Sequence, residues 1–190
     1  MIKLALFASG SGSNVENIAL HLKGHPSIEI TRVYCNNPKA YVLERCKNLG
    51  LESRVFSREE FKEGIITQEL LNEGTNLIVL AGFLWLIPAG LVAAYPDRII
   101  NVHPALLPNY GGKGMYGHHV HEAVVAAKEA ESGITIHLVN EEYDKGRVLF
   151  QAKTALEANE TPDSLAQKIH HLEKSHFPSV IEEYAMQLNA

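Results

Sequence analysis

Short apolar runs rich in Val and Ile alternate along the chain with longer segments whose apolar residues recur at helical spacing. The runs predict strands near 2–8, 28–35, 53–56, 77–81, 98–102, 133–139 and 147–154. The longer segments predict helices near 14–23, 39–49, 59–73, 88–94, 118–131 and 161–188. The last helix opens at Thr161-Pro162-Asp163, with proline at the first helical position. This alternation predicts an α/β fold, a single domain with an open, mostly parallel, twisted sheet of about seven strands and helices on both faces. After residue 132 the order changes to strand, turn and strand, Gly133–Val139 and Arg147–Thr154, joined through Asp144-Lys145-Gly146. A connection that short makes an antiparallel pair near the C-terminal end, because a parallel one needs a crossover. Pro104–Gly117, with four glycines and two prolines, has no periodicity. A loop of that length in a compact domain is more often functional than idle.

The 190 residues are 46% hydrophobic and 21% charged, a profile that suits one soluble domain. The formal net charge of −5 supplies no global basic field, which argues against nucleic acid or an anionic membrane surface as partner. Cys35 and Cys46 neither staple a domain of this size nor form a C-x-x-C pair, which predicts a reducing, cytoplasmic setting. The run Ile2–Ala8 is too short for a signal segment, and no run approaches the roughly 20 apolar residues of a membrane span. These totals leave the 10 histidines without an explanation.

The first strand runs into Ser9-Gly10-Ser11-Gly12-Ser13-Asn14 and then a helix. Unpaired backbone N–H groups and the positive end of the helix dipole gather at such a turn, so it suits an anion. Ser13 and Glu16 also have the spacing of a capping box. A dinucleotide fingerprint would need glycine at Val15, and the Gly-Lys-Ser/Thr ending of a nucleotide loop is absent. What remains is a phosphate monoester on a small molecule, or a tight turn with no ligand.

Asn101 and His103 sit two apart at a strand end, on the same face, with Val102 on the other. Ligands of open α/β sheets bind at strand C-termini, and an amide beside an imidazolium suits a developing oxyanion. A protonated His103 needs a nearby carboxylate, for which Asp144 in the turn before Gly146 is the candidate. The plainer alternatives are a strand-end histidine bonded to backbone and an aspartate that forms a turn. His118-His119-Val120-His121 raises zinc or nickel binding as a rival, but no Cys or second carboxylate set stands nearby to complete a site, so these side chains read as the polar start of a helix.

Taken together, Ser9–Asn14, Asn101-Val-His103-Pro104-Ala-Leu-Leu-Pro108 and Asp144-Lys-Gly146 resemble the phosphoribosylglycinamide formyltransferases, a folate-dependent family, over nearly the whole chain. The resemblance implies a Rossmann-like formyltransferase fold and a place in purine synthesis. It implies transfer of a formyl group from 10-formyltetrahydrofolate to the amine of phosphoribosylglycinamide, with no metal. By the same resemblance Gly12, Ser13 and Asn14 hold the substrate phosphate, Asn101, His103 and Asp144 are catalytic, and Glu173 holds the glycinamide. Arg58, Leu84, Trp85, Leu86, Ile87, Asn101, Glu141, Glu142, Tyr143 and Asp144 line the folate site. Residues 1–100 then form the phosphoribosyl half, and residues 101–190 the catalytic and folate half with the C-terminal helix. The expected partners are small molecules, with the chain a monomer or homodimer.

The chain departs from the family pattern in two places. Leu84-Trp85-Leu86-Ile87 carries tryptophan where many members have arginine, and Gly111-Gly-Lys-Gly-Met-Tyr-Gly117 differs from the family's shorter loop. A formyltetrahydrofolate hydrolase usually carries an extra N-terminal domain, whereas strand one here begins at residue 2. A tRNA-directed enzyme would need a further basic domain. Sugar-nucleotide formyltransferases share the Asn/His/Asp set, and a noncatalytic phosphometabolite-binding module is the alternative from another class.

Overall fold

A computed structural model describes residues 1–142 and 144–188. The elements run β1 (Ile2–Ala8), α1 (Ser13–His21), β2 (Ile28–Cys35), α2 (Val42–Leu49), β3 (Ser53–Val55), α3 (Arg58–Lys62), α4 (Ile65–Glu73), β4 (Leu77–Leu80), α5 (Ala89–Ala94), β5 (Ile99–His103), α6 (His118–Ala126), β6 (Glu131–Leu138), β7 (Val148–Ala155) and α7 (Pro162–Gln187). They build one seven-stranded sheet in the order β3-β2-β1-β4-β5-β6-β7. The first five strands are parallel; β6 and β7 continue the sheet antiparallel, as the short β6–β7 connection predicts.

The alternation along β1 divides the core. Ile2, Leu4, Leu6 and Ala8 face one layer, where they meet α1, α2, α6 and α7 through Val15, Ile18, Val42, Cys46, Val120 and Phe177. Ala5 and Phe7 face the other layer, with Phe61, Ile66, Leu70 and Leu91 of α3, α4 and α5. Burying a strand on both faces favours apolar residues throughout, which is why β4 reads as a continuous apolar run and β1 as one broken only by the partly exposed Lys3 near its start. Cys35 and Cys46 are free and buried. Among the described residues no helix is long and apolar enough to cross a membrane.

Several local expectations need correction. The helix expected over 59–73 is two helices, because Gly64 takes φ 80° between α3 and α4 and a left-handed residue cannot continue a helix. Ser57 and Glu60 form the capping box of α3. The helix expected to reach 131 ends at Ala126, with Lys128 at φ 53°, and β6 starts two residues earlier than expected. The capping box expected from Ser13 and Glu16 does not form. Gly12, at φ 76°, is the N-cap of α1, no side chain caps the helix, and Glu16 is drawn away to Arg45.

Candidate active site

The strand order reverses between β1 and β4, so loops leaving their C-terminal ends diverge and open a crevice, the usual ligand position in open α/β sheets. A cleft of about 820 Å³ lies there, walled by the turn after β1, the segment after β4, the end of β5, the glycine-rich loop and α7.

At one end is the Gly10–Asn14 turn. A Cβ on Gly12 would stand 2.4 Å from Val42 Cγ2, so the turn packs against α2 only as glycine. The absence of a side-chain cap leaves first-turn N–H groups of α1 for a ligand, so the failed capping box makes the turn a better anion site. Asn14 Nδ2 donates to Glu173 Oε2 at 2.9 Å, joining the turn to α7. Glu173 is buried on the cleft wall, and His170 Nδ1 stands 3.7 Å from it and is pushed up by that contact.

At the other end Asn101, His103 and Asp144 converge. The Asp144 carboxylate lies between two imidazoles, with Oδ2 3.6 Å from His103 Nδ1 and Oδ1 3.6 Å from His137 Nε2. It also accepts the Gly112 N–H at 2.9 Å, which fixes the glycine-rich loop over the site. His103 Nε2 donates to the Tyr110 carbonyl at 2.7 Å. A carboxylate therefore does face His103, and burial acts against the protonated imidazole expected beside it. Burial pulls the His103 pKa below its usual value, and Asp144 and the Tyr110 carbonyl offset only part of that.

Sequence reasoning missed His137. Its Nδ1 lies 2.9 Å from the Leu138 carbonyl, which can only accept, so Nδ1 carries the proton and Nε2 is an acceptor. Asn101 Nδ2 donates to that Nε2 at 3.2 Å, and its second N–H remains for the cleft. Burial lowers the His137 pKa and keeps this tautomer neutral. Thr135 was missed as well. Its hydroxyl donates to the Ala105 carbonyl and accepts from Leu107 N–H and Gln151 Nε2, pinning the chain after β5 to β6 and β7. The available signal was a polar residue at every second position in an otherwise apolar strand, Thr135 and His137.

Leu84 and Leu86 are 56% and 50% exposed on the cleft wall, an apolar surface fit for a flat ring, while Ile87 is buried. Ser9 Oγ accepts the Leu84 N–H, tying this segment to β1. Trp85 packs edge-on against Phe56 and Phe83 and carries the Arg58 guanidinium over its ring at 4.7 Å. Arg58 and Glu141 stand outside the cleft lining; Glu142 lines it and pairs with Lys145. Tyr143 lies outside the described residues. His118 and His121 border the cleft, and among the described residues no group of three or more His, Cys, Asp or Glu is placed to hold a metal.

Comparison with known proteins fits this geometry. The model of the formyl transferase family matches residues 2–181. The chain belongs to the formyl transferase family. It is 40% identical to the chloroplastic phosphoribosylglycinamide formyltransferase of Arabidopsis thaliana, over 94% of this chain but only 64% of that protein. It is 36% identical to the phosphoribosylglycinamide formyltransferase of Bacillus subtilis, over 96% of this chain and 94% of that one. The crystal structure of glycinamide ribonucleotide transformylase 1 from Geobacillus kaustophilus superposes with a TM-score of 0.87 at 33% identity, covering 99% of each chain. Within this formyl transferase, the chain spans less than two thirds of the Arabidopsis relative and nearly all of the Bacillus one.

Proposed function

We propose that this protein is a phosphoribosylglycinamide formyltransferase of purine synthesis, moving the formyl group of 10-formyltetrahydrofolate to the amine of N1-(5-phospho-D-ribosyl)glycinamide in the cytoplasm. The observation that carries the reading is one cleft with an uncapped helix turn and Glu173 at one end and Asn101, His103 and Asp144 at the other.

Bound 10-formyltetrahydrofolate supplies an already activated formyl group, so the reading calls for no covalent enzyme intermediate and no metal. Leu84 and Leu86 offer its ring system an apolar wall; Arg58, Trp85, Ile87, Glu141, Glu142, Tyr143 and Asp144 complete the proposed folate set. Gly12, Ser13 and Asn14 take the phosphate of the acceptor on backbone N–H groups, and Glu173, bonded to Asn14, holds the glycinamide substrate beside that turn. The free N–H of Asn101 donates to the formyl oxygen, where negative charge builds as the amine attacks. The Nε2–H of His103 exchanges the Tyr110 carbonyl for the same oxygen and gives it a second hydrogen bond while keeping its proton. Asp144 receives the proton shed by the attacking amine through an ordered water and returns it by the same route to the folate nitrogen as the bond from that nitrogen to the formyl carbon breaks.

A spectrophotometric formyl-transfer assay with phosphoribosylglycinamide or water as the only acceptor tests this. Folate product formed only with the ribotide supports the transferase; equal turnover in water makes the protein a hydrolase.

A further inference from the structure

His121 is a buried histidine that the proposed chemistry leaves unused. It lies in the first turn of α6, is 6% exposed, and lines the cleft. Its Nδ1 is sealed from solvent and has no hydrogen-bond partner among the described residues. Buried ring nitrogens are nearly always paired in native proteins, so an unpaired one on a cleft wall asks for a ligand. A half-turn of the ring exchanges Nδ1 with Cδ2 without a change of shape, so a polar ligand group on this wall can be met by the nitrogen.

The surroundings define that group. Around His121 stand His118 on its own helix, with ring centroids 6.2 Å apart, His170 and Glu173 on α7, and His103 at the end of β5. Its neighbours thus include Glu173, which is bonded to Asn14 of the phosphate turn, and His103, the histidine assigned to the formyl oxygen. Burial and the three neighbouring histidines lower its pKa against the pull of Glu173, so it is neutral, with one donor and one acceptor. A hydroxyl, which also donates and accepts, satisfies such a ring in either tautomer.

From this placement we infer that His121 is a substrate-contacting residue that hydrogen-bonds a sugar hydroxyl in the middle of the acceptor, between its phosphate and its amine. The identity of the acceptor rests on the function proposed above; the contact with a phosphosugar does not require formyl transfer.

Calorimetric titration with ribose 5-phosphate tests the contact directly. His121→Ala is expected to weaken ribose 5-phosphate about tenfold, the worth of one hydrogen bond, and to leave binding of inorganic phosphate as it was. His121→Asn, whose amide reaches about as far as Nδ1, recovers part of the loss and serves where the alanine variant fails to fold. In the transfer assay the loss falls on KM for the ribotide and spares KM for the folate. Equal ribose 5-phosphate affinity in wild type and in a folded variant overturns the inference. Failure of the wild type to bind ribose 5-phosphate, or equal loss of inorganic phosphate, overturns it too. If the ribotide is never formylated, the proposed function falls while the ribose 5-phosphate arms still decide His121.

Discussion

Asn101 and His103 were legible as a pair because the period of a strand puts positions two apart on one face, and Asp144 because aspartate before glycine marks a turn. His137 was not legible as a functional residue. Its place opposite Asn101 exists only through the antiparallel pairing of β5 and β6, which sets Asn101 against His137 in register. The environment of His103 was half legible for a related reason: the carboxylate could be guessed from sequence, but the burial that opposes it could not. Asn101 is useful as a donor only if its amide faces the right way, and His137 sets that direction by accepting one N–H. Replacing His137 with Phe should lower kcat about tenfold, the loss of one orienting hydrogen bond, with less effect on KM. His137→Gln, which restores an acceptor near the old Nε2, should regain part of it in the same assay.

The element order, the sheet class and the antiparallel end were readable from where apolar runs stop and how short the β6–β7 connection is. Helix ends were not, because they turn on single backbone conformations. Gly64 has open space around its missing Cβ, so an added methyl meets only the strain of φ 80°. Gly64→Ala is therefore expected to cost about 1 kcal/mol in chemical denaturation, with the site unchanged. Thr135 acts at the same scale, since three partners from the β5 loop and β7 meet on one buried hydroxyl. Thr135→Val keeps the shape but strands the Leu107 N–H, and should cost about 1–3 kcal/mol in the same measurement. A cost well below that range would mean that the loop after β5 is held by its other contacts.

Over the whole molecule, the surplus of histidines resolves into a cleft. His103, His118, His121, His137 and His170 all line it. The buried three, His103, His121 and His137, are lowered, so the folded chain holds them neutral where the unfolded chain protonates them. The unfolded state then binds more protons at mildly acidic pH, and stability falls as pH drops. His170 is raised and pulls the other way, but it is the more exposed group. The melting temperature is expected to fall from about pH 7.5 to about pH 5.5, and to fall less in His121→Asn. A flat profile would show that these rings bind protons equally in the folded and unfolded chain. The negative net charge is compatible with the proposed anionic substrates, because the turn proposed for the phosphate offers backbone amides and contains neither Lys nor Arg.

The central claim is that Asn101 donates to the oxygen on which charge gathers during formyl transfer to the ribotide. The most direct test is kcat for Asn101→Ala with phosphoribosylglycinamide as acceptor, measured on protein whose melting temperature matches the wild type. A fall of about 10²–10³ is predicted, the usual cost of removing one oxyanion donor; turnover within a few-fold of wild type would contradict the account.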